Sequence, residues 1–310
     1  MTIATQDRLF THPLAGIRFG VVGRVGSGRT TLSVLLAREL AEKGYGVCFV
    51  DADARPADSW RAFGLEAPPD SLMEFLADRG TGSEARKIPY VDEELVAPIP
   101  ILLDELPETT VGRTPDGIVF LSLEKAGPRD DPGGPGPEWA PQDIRLEGDR
   151  TLPVTIFKLE ATRDAPPPEL LASLDWLLVV VDPTFSSVEL VADMGERVVQ
   201  LQKEAPAGTL APEPIPGGDP QGSSFGTGHH MGLMAVLNHI PDPETEQFFV
   251  TAISRQAQVH PIGAIREDWE IREAGLSGQA VPEHKAETRV KAIVDRIEES
   301  ERQAQLAGMG

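Results

Sequence analysis

An apolar run, Ile17–Val22, passes without interruption into a glycine-rich stretch, Gly23–Gly28, and this junction admits few folds. Thr30–Lys43 follows with leucines and alanines at helical spacing and stops before Gly44. A second apolar run, Gly46–Val50, then leads into Asp51-Ala52-Asp53. Strand, glycine loop, helix and strand make a βαβ unit, whose parallel strands need helices over both faces. Further strands are expected at Gly117–Leu121, Leu152–Phe157, Trp176–Val181 and Gly232–Leu237, and helices at Ser186–Lys203, Pro243–Ser254 and Glu283–Gln305. Leu177–Val181 holds no polar residue, as a central parallel strand requires. The alternation predicts one α/β domain over residues 1–310, with a doubly wound, mostly parallel sheet. Residues 126–149 and 204–230 are rich in Pro and Gly without hydrophobic period, and are expected to be flexible loop inserts.

The glycine stretch reads Gly23-Arg24-Val25-Gly26-Ser27-Gly28-Arg29-Thr30. It follows the P-loop pattern G-x-x-x-x-G-K-[ST], with Arg29 where lysine is usual. Between a strand and a helix, Gly23, Gly26, Ser27 and Gly28 would turn backbone N–H groups onto phosphate oxygens, and the Thr30 hydroxyl would hold Mg²⁺. The alternative is a glycine-rich turn that only starts a helix.

The segment Arg24-Val25-Gly26-Ser27-Gly28-Arg29-Thr30-Thr31 resembles the K-G-G-x-G-K-T-T loop of deviant-Walker ATPases of the MinD/ParA type, both lysines having become arginines. Val50-Asp51-Ala52-Asp53 with Phe63-Gly64-Leu65 resembles V-D-A-D…L-G-L, and Leu177–Thr184 resembles L-L-V-V-V-x-P-S. Ala235-Val236-Leu237-Asn238 resembles V-V-N-K, and Ile265–Ala274 resembles I-P-Y-D-P-E-I-R-E-A. The chain looks most similar to the CooC-type branch, accessory ATPases that serve nickel insertion into carbon monoxide dehydrogenase.

The resemblance implies a P-loop NTPase fold with ATP and Mg²⁺ as cofactors. It places Arg29 and Thr31 in the phosphate cradle and Asn238 against adenine. It implies that Arg24 reaches a partner subunit's phosphates across a homodimer, that Asp51 joins Thr30 in the metal shell, and that Asp53 belongs to the switch that positions attacking water. Arg29 is otherwise a solvated residue at a helix start, and Asp51 and Asp53 are otherwise caps of the following turn.

Two departures bear on turnover. The Walker-B segment, V-V-D-x-E-A-G in the family, aligns with Ile156-Phe157-Lys158-Leu159-Glu160-Ala161-Thr162, so Lys158 stands where an aspartate supports Mg²⁺ and Glu160 is the remaining carboxylate. The C-x-C pair of CooC-type proteins is missing; the corresponding stretch ends at Asp130 and Asp131, expected to be a solvated acidic loop. His229 and His230 lie in the second insert and are expected to be solvated.

With 28 Lys and Arg against 49 Asp and Glu, the net charge of −21 repels phosphate backbones and anionic lipid, which argues against nucleic acid and membrane partners. Cys48, the only cysteine, excludes an intramolecular disulfide and is expected in the core. Met1–Phe10 has no apolar run that would make a signal peptide, and no stretch approaches the roughly 20 apolar residues of a membrane span, so the protein is expected in the cytoplasm. Glu287–Gln305 mixes acids and bases and is expected to be a solvated surface helix. By its resemblance the chain is expected to be a CooC/MinD-like ATP-binding maturation factor for a metalloenzyme, with ATP hydrolysis impaired. The alternative is a non-hydrolysing adaptor that works through protein contact.

Overall fold

A computed structural model describes residues 12–53, 59–72, 74–75, 101–103, 106–123, 144–145, 152–159, 168–204, 231–282 and 287–308. In chain order the elements are β1 (Arg18–Gly23), α1 (Arg29–Glu42), β2 (Val47–Ala52), α2 (Ser59–Ala62), β3 (Ile101–Leu102), β4 (Gly112–Arg113), β5 (Val119–Ser122), β6 (Ile144–Arg145) and β7 (Val154–Leu159). They continue with α3 (Pro168–Ala172), β8 (Trp176–Val181), α4 (Phe185–Glu204), β9 (Gly232–Ile240), α5 (Pro243–Gln256), β10 (Gly263–Arg266), α6 (Trp269–Ser277) and α7 (Glu287–Gly308). Eight strands form one sheet in the order β10-β9-β8-β1-β7-β2-β5-β4, parallel except for β4; β3 and β6 make a separate parallel pair.

Alternation along the strands builds three layers. Leu178 and Val180 face one side with Phe49 and Ile156, beneath Leu32, Leu36 and Leu40 of α1 and Val290, Ile293 and Val294 of α7. Leu177, Val179 and Val181 face the other with Val50, Phe157 and Leu159, beneath Val188, Val191 and Met194 of α4 and Phe249 and Ile253 of α5. Cys48 is fully buried in this second layer, where burial pushes its thiol far up. The doubly wound α/β expectation is thereby met, with strands and helices shifted by a few residues.

Two local expectations are corrected. The strand expected from Gly117 begins at Val119, because Thr114 closes a turn there: its hydroxyl accepts the Ile118 N–H at 3.1 Å and its N–H donates to the Ile118 carbonyl at 3.0 Å. That turn also makes β4, an antiparallel edge strand too short to leave a sequence signal. The C-terminal helix is not simply solvated. Val290, Ile293, Val294 and Ile297 put a buried stripe on α1, while Glu298 accepts from Tyr45 Oη at 2.7 Å and Glu301 from Trp176 Nε1 at 2.9 Å. Few apolar residues suffice because the buried acids carry partners. The helix expected over 283–305 is described from Glu287 to Gly308, residues 283–286 lying outside the described residues. Among the described residues no helix is long and apolar enough to cross a membrane. The inserts at 126–149 and 204–230 lie outside the described residues, apart from 144–145 and 204.

Asp268 shows how a local signal is used: its carboxylate accepts from Glu270 N at 2.9 Å and Ile271 N at 3.2 Å, capping α6. Asp268→Ala should lower stability by about 1 kcal/mol in a urea titration. An unchanged midpoint would show that the cap contributes nothing.

Candidate functional site

The chain leaves β1 toward β2 on one side and, after β7, crosses to β8 on the other, so β1 stands where the winding reverses. Open α/β sheets take ligands outside the carboxyl ends of their strands at this point. There β1 ends at Gly23 and residues 24–28 bend back into α1, with the Ser27 N–H donating to the Arg24 carbonyl at 3.0 Å. Gly26 and Gly28 take φ of 85° and 87°, conformations in which an L side chain is strained. Gly28 is the N-cap of α1; no side chain caps it, and the first turn holds no acid. An uncapped helix start with its positive dipole end is a seat for an anion. Arg24, Val25 and Gly26 are exposed, Thr30 and Thr31 are half-buried, and Ser27 is fully buried with a hydroxyl that has no hydrogen-bond partner among the described residues.

β9 braces this loop. Asn238, expected against adenine, is buried and its Nδ2 donates to the Ser27 carbonyl at 2.8 Å. His239, which no motif singled out, sits at φ 57° and turns its ring onto the loop; its Nε2 lies 2.9 Å from where a Cβ on Gly28 would fall. Burial holds the imidazole pKa below its ordinary value, opposed by Glu267 and Asp182. Only its place next to Asn238 marked it in the sequence. Asp182, at the end of β8, accepts from the Thr184 hydroxyl at 2.7 Å and from the Ser187 hydroxyl.

The strand alternation that builds the core also builds a charged cluster. Counting by twos from Phe49 and Ile156 brings Asp51 and Lys158 onto the face of α1, and ladder register sets them directly opposite one another. Lys158 Nζ lies 3.3 and 3.4 Å from the two oxygens of Asp51 and 3.4 Å from Asp53 Oδ2, and it donates to Ser59 Oγ at 2.9 Å. Arg29, the first residue of α1, donates to the Leu159 carbonyl and places Nη2 3.6 Å from Asp53 Oδ2. Asp51 is 1% exposed and Lys158 5%. Burial pushes the Asp51 carboxyl above the usual carboxylate range; Lys158, the Ser59 hydroxyl and the Asp53 N–H oppose this. The upward direction, despite an ion pair, means that desolvation outweighs the attraction. Asp51 also accepts from Asp53 N at 3.2 Å, so the turn-capping role is present as well. Ser59, absent from the motif reading, enters only because α2 returns to the end of β2.

This arrangement does not fit Mg²⁺ on the aspartates. The ion needs about six oxygen ligands near 2.1 Å. Here both oxygens of Asp51 face an ammonium instead, and so does Oδ2 of Asp53. Among the described residues no group of three or more His, Cys, Asp or Glu is placed to hold a metal ion. Glu160, Asp130, Asp131, His229 and His230 lie outside the described residues.

No family model matches the chain. Two uncharacterized ATP-binding proteins of Methanocaldococcus jannaschii are similar to it. One is 25% identical over 92% of this chain and 88% of its own length, and the other 22% identical over 59% and 74%. The cell division ATPase MinD of Pyrococcus furiosus shares the fold with a TM-score of 0.53 at 19% identity, covering 92% of this chain and 99% of its own. The septum site-determining protein MinD of Pyrococcus horikoshii, complexed with Mg-ADP, gives 0.53 at 17% identity over 91% and 95%. The chain thus shares the α/β fold of these MinD structures.

Proposed function

We propose that this protein binds ATP at the Gly23–Thr31 loop and acts through a bound-nucleotide state, with hydrolysis impaired. The observation that carries this reading is the uncapped start of α1 behind two left-handed glycines, at the point where the winding of the sheet reverses. Gly23, Gly26, Ser27, Gly28 and Thr31 supply the phosphate cradle, with Arg29 and Thr30 at its rim. Asn238 has an amide oxygen that would suit the exocyclic amine of adenine. The names of the two archaeal relatives support ATP as the ligand, and one MinD structure of the same fold is complexed with Mg-ADP.

The finer reading follows the resemblance to CooC-type proteins: a cytoplasmic homodimer serving maturation of a metalloenzyme, with carbon monoxide dehydrogenase as the type of partner. Arg24 is suited to the trans contact, because it is exposed at the loop tip and arginine's planar fork matches phosphate oxygens. By resemblance Asp53 would orient water and Thr30 and Asp51 would be the metal-shell positions, a role that Asp51 does not fit with both of its oxygens on the Lys158 ammonium. A second reading is favoured by the charge cluster. Arg29 and Lys158 are tied to Asp53 and Asp51, which draws all four groups away from turnover and suits a non-hydrolysing adaptor.

Calorimetric titration with ATP, with phosphate release measured on the same sample, tests both readings. Binding without release is the expected result. Arg29→Ala should weaken binding about tenfold to a hundredfold, the effect of one charge-assisted contact. Unchanged affinity would remove Arg29 from the site, and rapid release would remove the adaptor reading.

A further inference from the structure

We propose that the Lys158 ammonium is the resident cation of this site and that ATP binds here without a divalent metal. The inference rests on the nucleotide reading above and names the form of nucleotide taken. An ordinary site of this fold combines a polyanionic phosphate chain with carboxylates at the ends of neighbouring strands, and a divalent ion keeps the two from repelling one another. Here the carboxylates are already neutralised from within. Asp51 and Asp53 carry two negative charges, and Lys158 and Arg29 carry two positive ones.

The placement of Lys158 does not depend on a flexible side chain finding a partner. Its Cα is in ladder register with Asp51 on β2 and with Val21 on β1, two residues before the loop begins at Gly23. The ammonium is then held from three directions by Asp51, Asp53 and Ser59, at distances between 2.9 and 3.4 Å. A metal entering between the aspartates would sit against a fixed positive charge, and its ligands would first have to be taken from Lys158. The phosphate chain meets no such obstacle. The helix start is uncapped there, and the aspartates, with Lys158 on Asp51 and Arg29 beside Asp53, no longer present net charge. Metal-free ATP is accordingly the ligand, and added Mg²⁺ competes with the protein for the phosphates.

The test uses the full chain, stripped of metal, titrated calorimetrically with ATP once in excess EDTA and once in excess Mg²⁺. The expected affinity in EDTA is equal to or higher than that in Mg²⁺. Lys158→Met should lower the affinity in EDTA by about tenfold, and Mg²⁺ should restore it as the freed aspartates accept the ion. Lys158→Arg, which keeps the charge, should retain binding in EDTA. Wild-type protein that binds ATP only with Mg²⁺ would overturn this inference and leave the nucleotide reading standing. Absence of binding under both conditions would overturn both. Lys158→Met with unchanged affinity in EDTA would also overturn the resident-cation role. Circular dichroism establishes that each variant is folded; if Lys158→Met is not, the wild-type pair of titrations decides.

Discussion

Lys158→Met lowers the stability of the protein by about 3–5 kcal/mol, the cost of leaving a buried charge without its partner. Asp51, 1% exposed, loses the ammonium that faces both of its oxygens, and Asp53 keeps only Arg29 among the cluster's cations. The loss depends on pH in a direction that can be worked out. Burial already places the Asp51 pKa above its ordinary value, and removing Lys158 raises it further. Between the unfolded value near 3.9 and the raised folded value, the folded chain binds a proton that the unfolded chain does not. Stability of the variant therefore rises as pH falls through the folded pKa and declines again as pH rises. Adding Asp51→Asn to Lys158→Met should recover most of the loss, because a neutral pair of similar shape avoids the desolvation that outweighs the attraction in the native pair. Urea titrations of the three proteins at several pH values measure this. A single variant as stable as wild type at neutral pH would mean that Lys158 and Asp51 are not paired in the folded protein.

Gly28→Ala is the second large effect, expected at about 2–5 kcal/mol together with loss of ATP binding. Two costs add: roughly 1–2 kcal/mol for an L residue in the left-handed region, and about 1–3 kcal/mol for overpacking. The added Cβ would fall 2.1 Å from Asn238 Nδ2, so the amide must leave the Ser27 carbonyl that it holds at 2.8 Å. Gly26→Ala separates the terms. Gly26 has nearly the same φ, 85°, but among the described residues nothing lies within 4 Å of its added Cβ. It should cost only the backbone part, about 1–2 kcal/mol. Equal effects of the two substitutions would remove Asn238 from the bracing of the loop.

The fold was legible where the local signal and the tertiary demand agree. Leu177–Val181 reads as a central strand because five apolar residues in succession, rich in β-branched valine, suit a strand buried on both faces, and Trp176–Val181 is that strand. Gly23–Arg29 must bend between a strand and a helix, because its glycines admit the backbone angles that such a turn needs. Edge features were not legible: β4 has two residues, and the buried stripe of α7 is diluted by acids that find partners only after folding.

The site divides in the same way. The loop residues could be named from motif and spacing, and Asp51, Asp53, Lys158 and Asn238 from the resemblance to MinD-type ATPases, each at or near one strand end. What Lys158 does could not be, because its meaning is set by a partner 107 residues earlier, brought opposite it by the parallel register of β2 and β7. Ser59 and His239 became part of the site only through the return of α2 and the end of β9. The sequence alone determined which strand ends carry charge and where the backbone turns. The packed sheet alone decided that those charges meet and neutralise one another, because Coulomb energy depends on distance through the fold and not on separation along the chain.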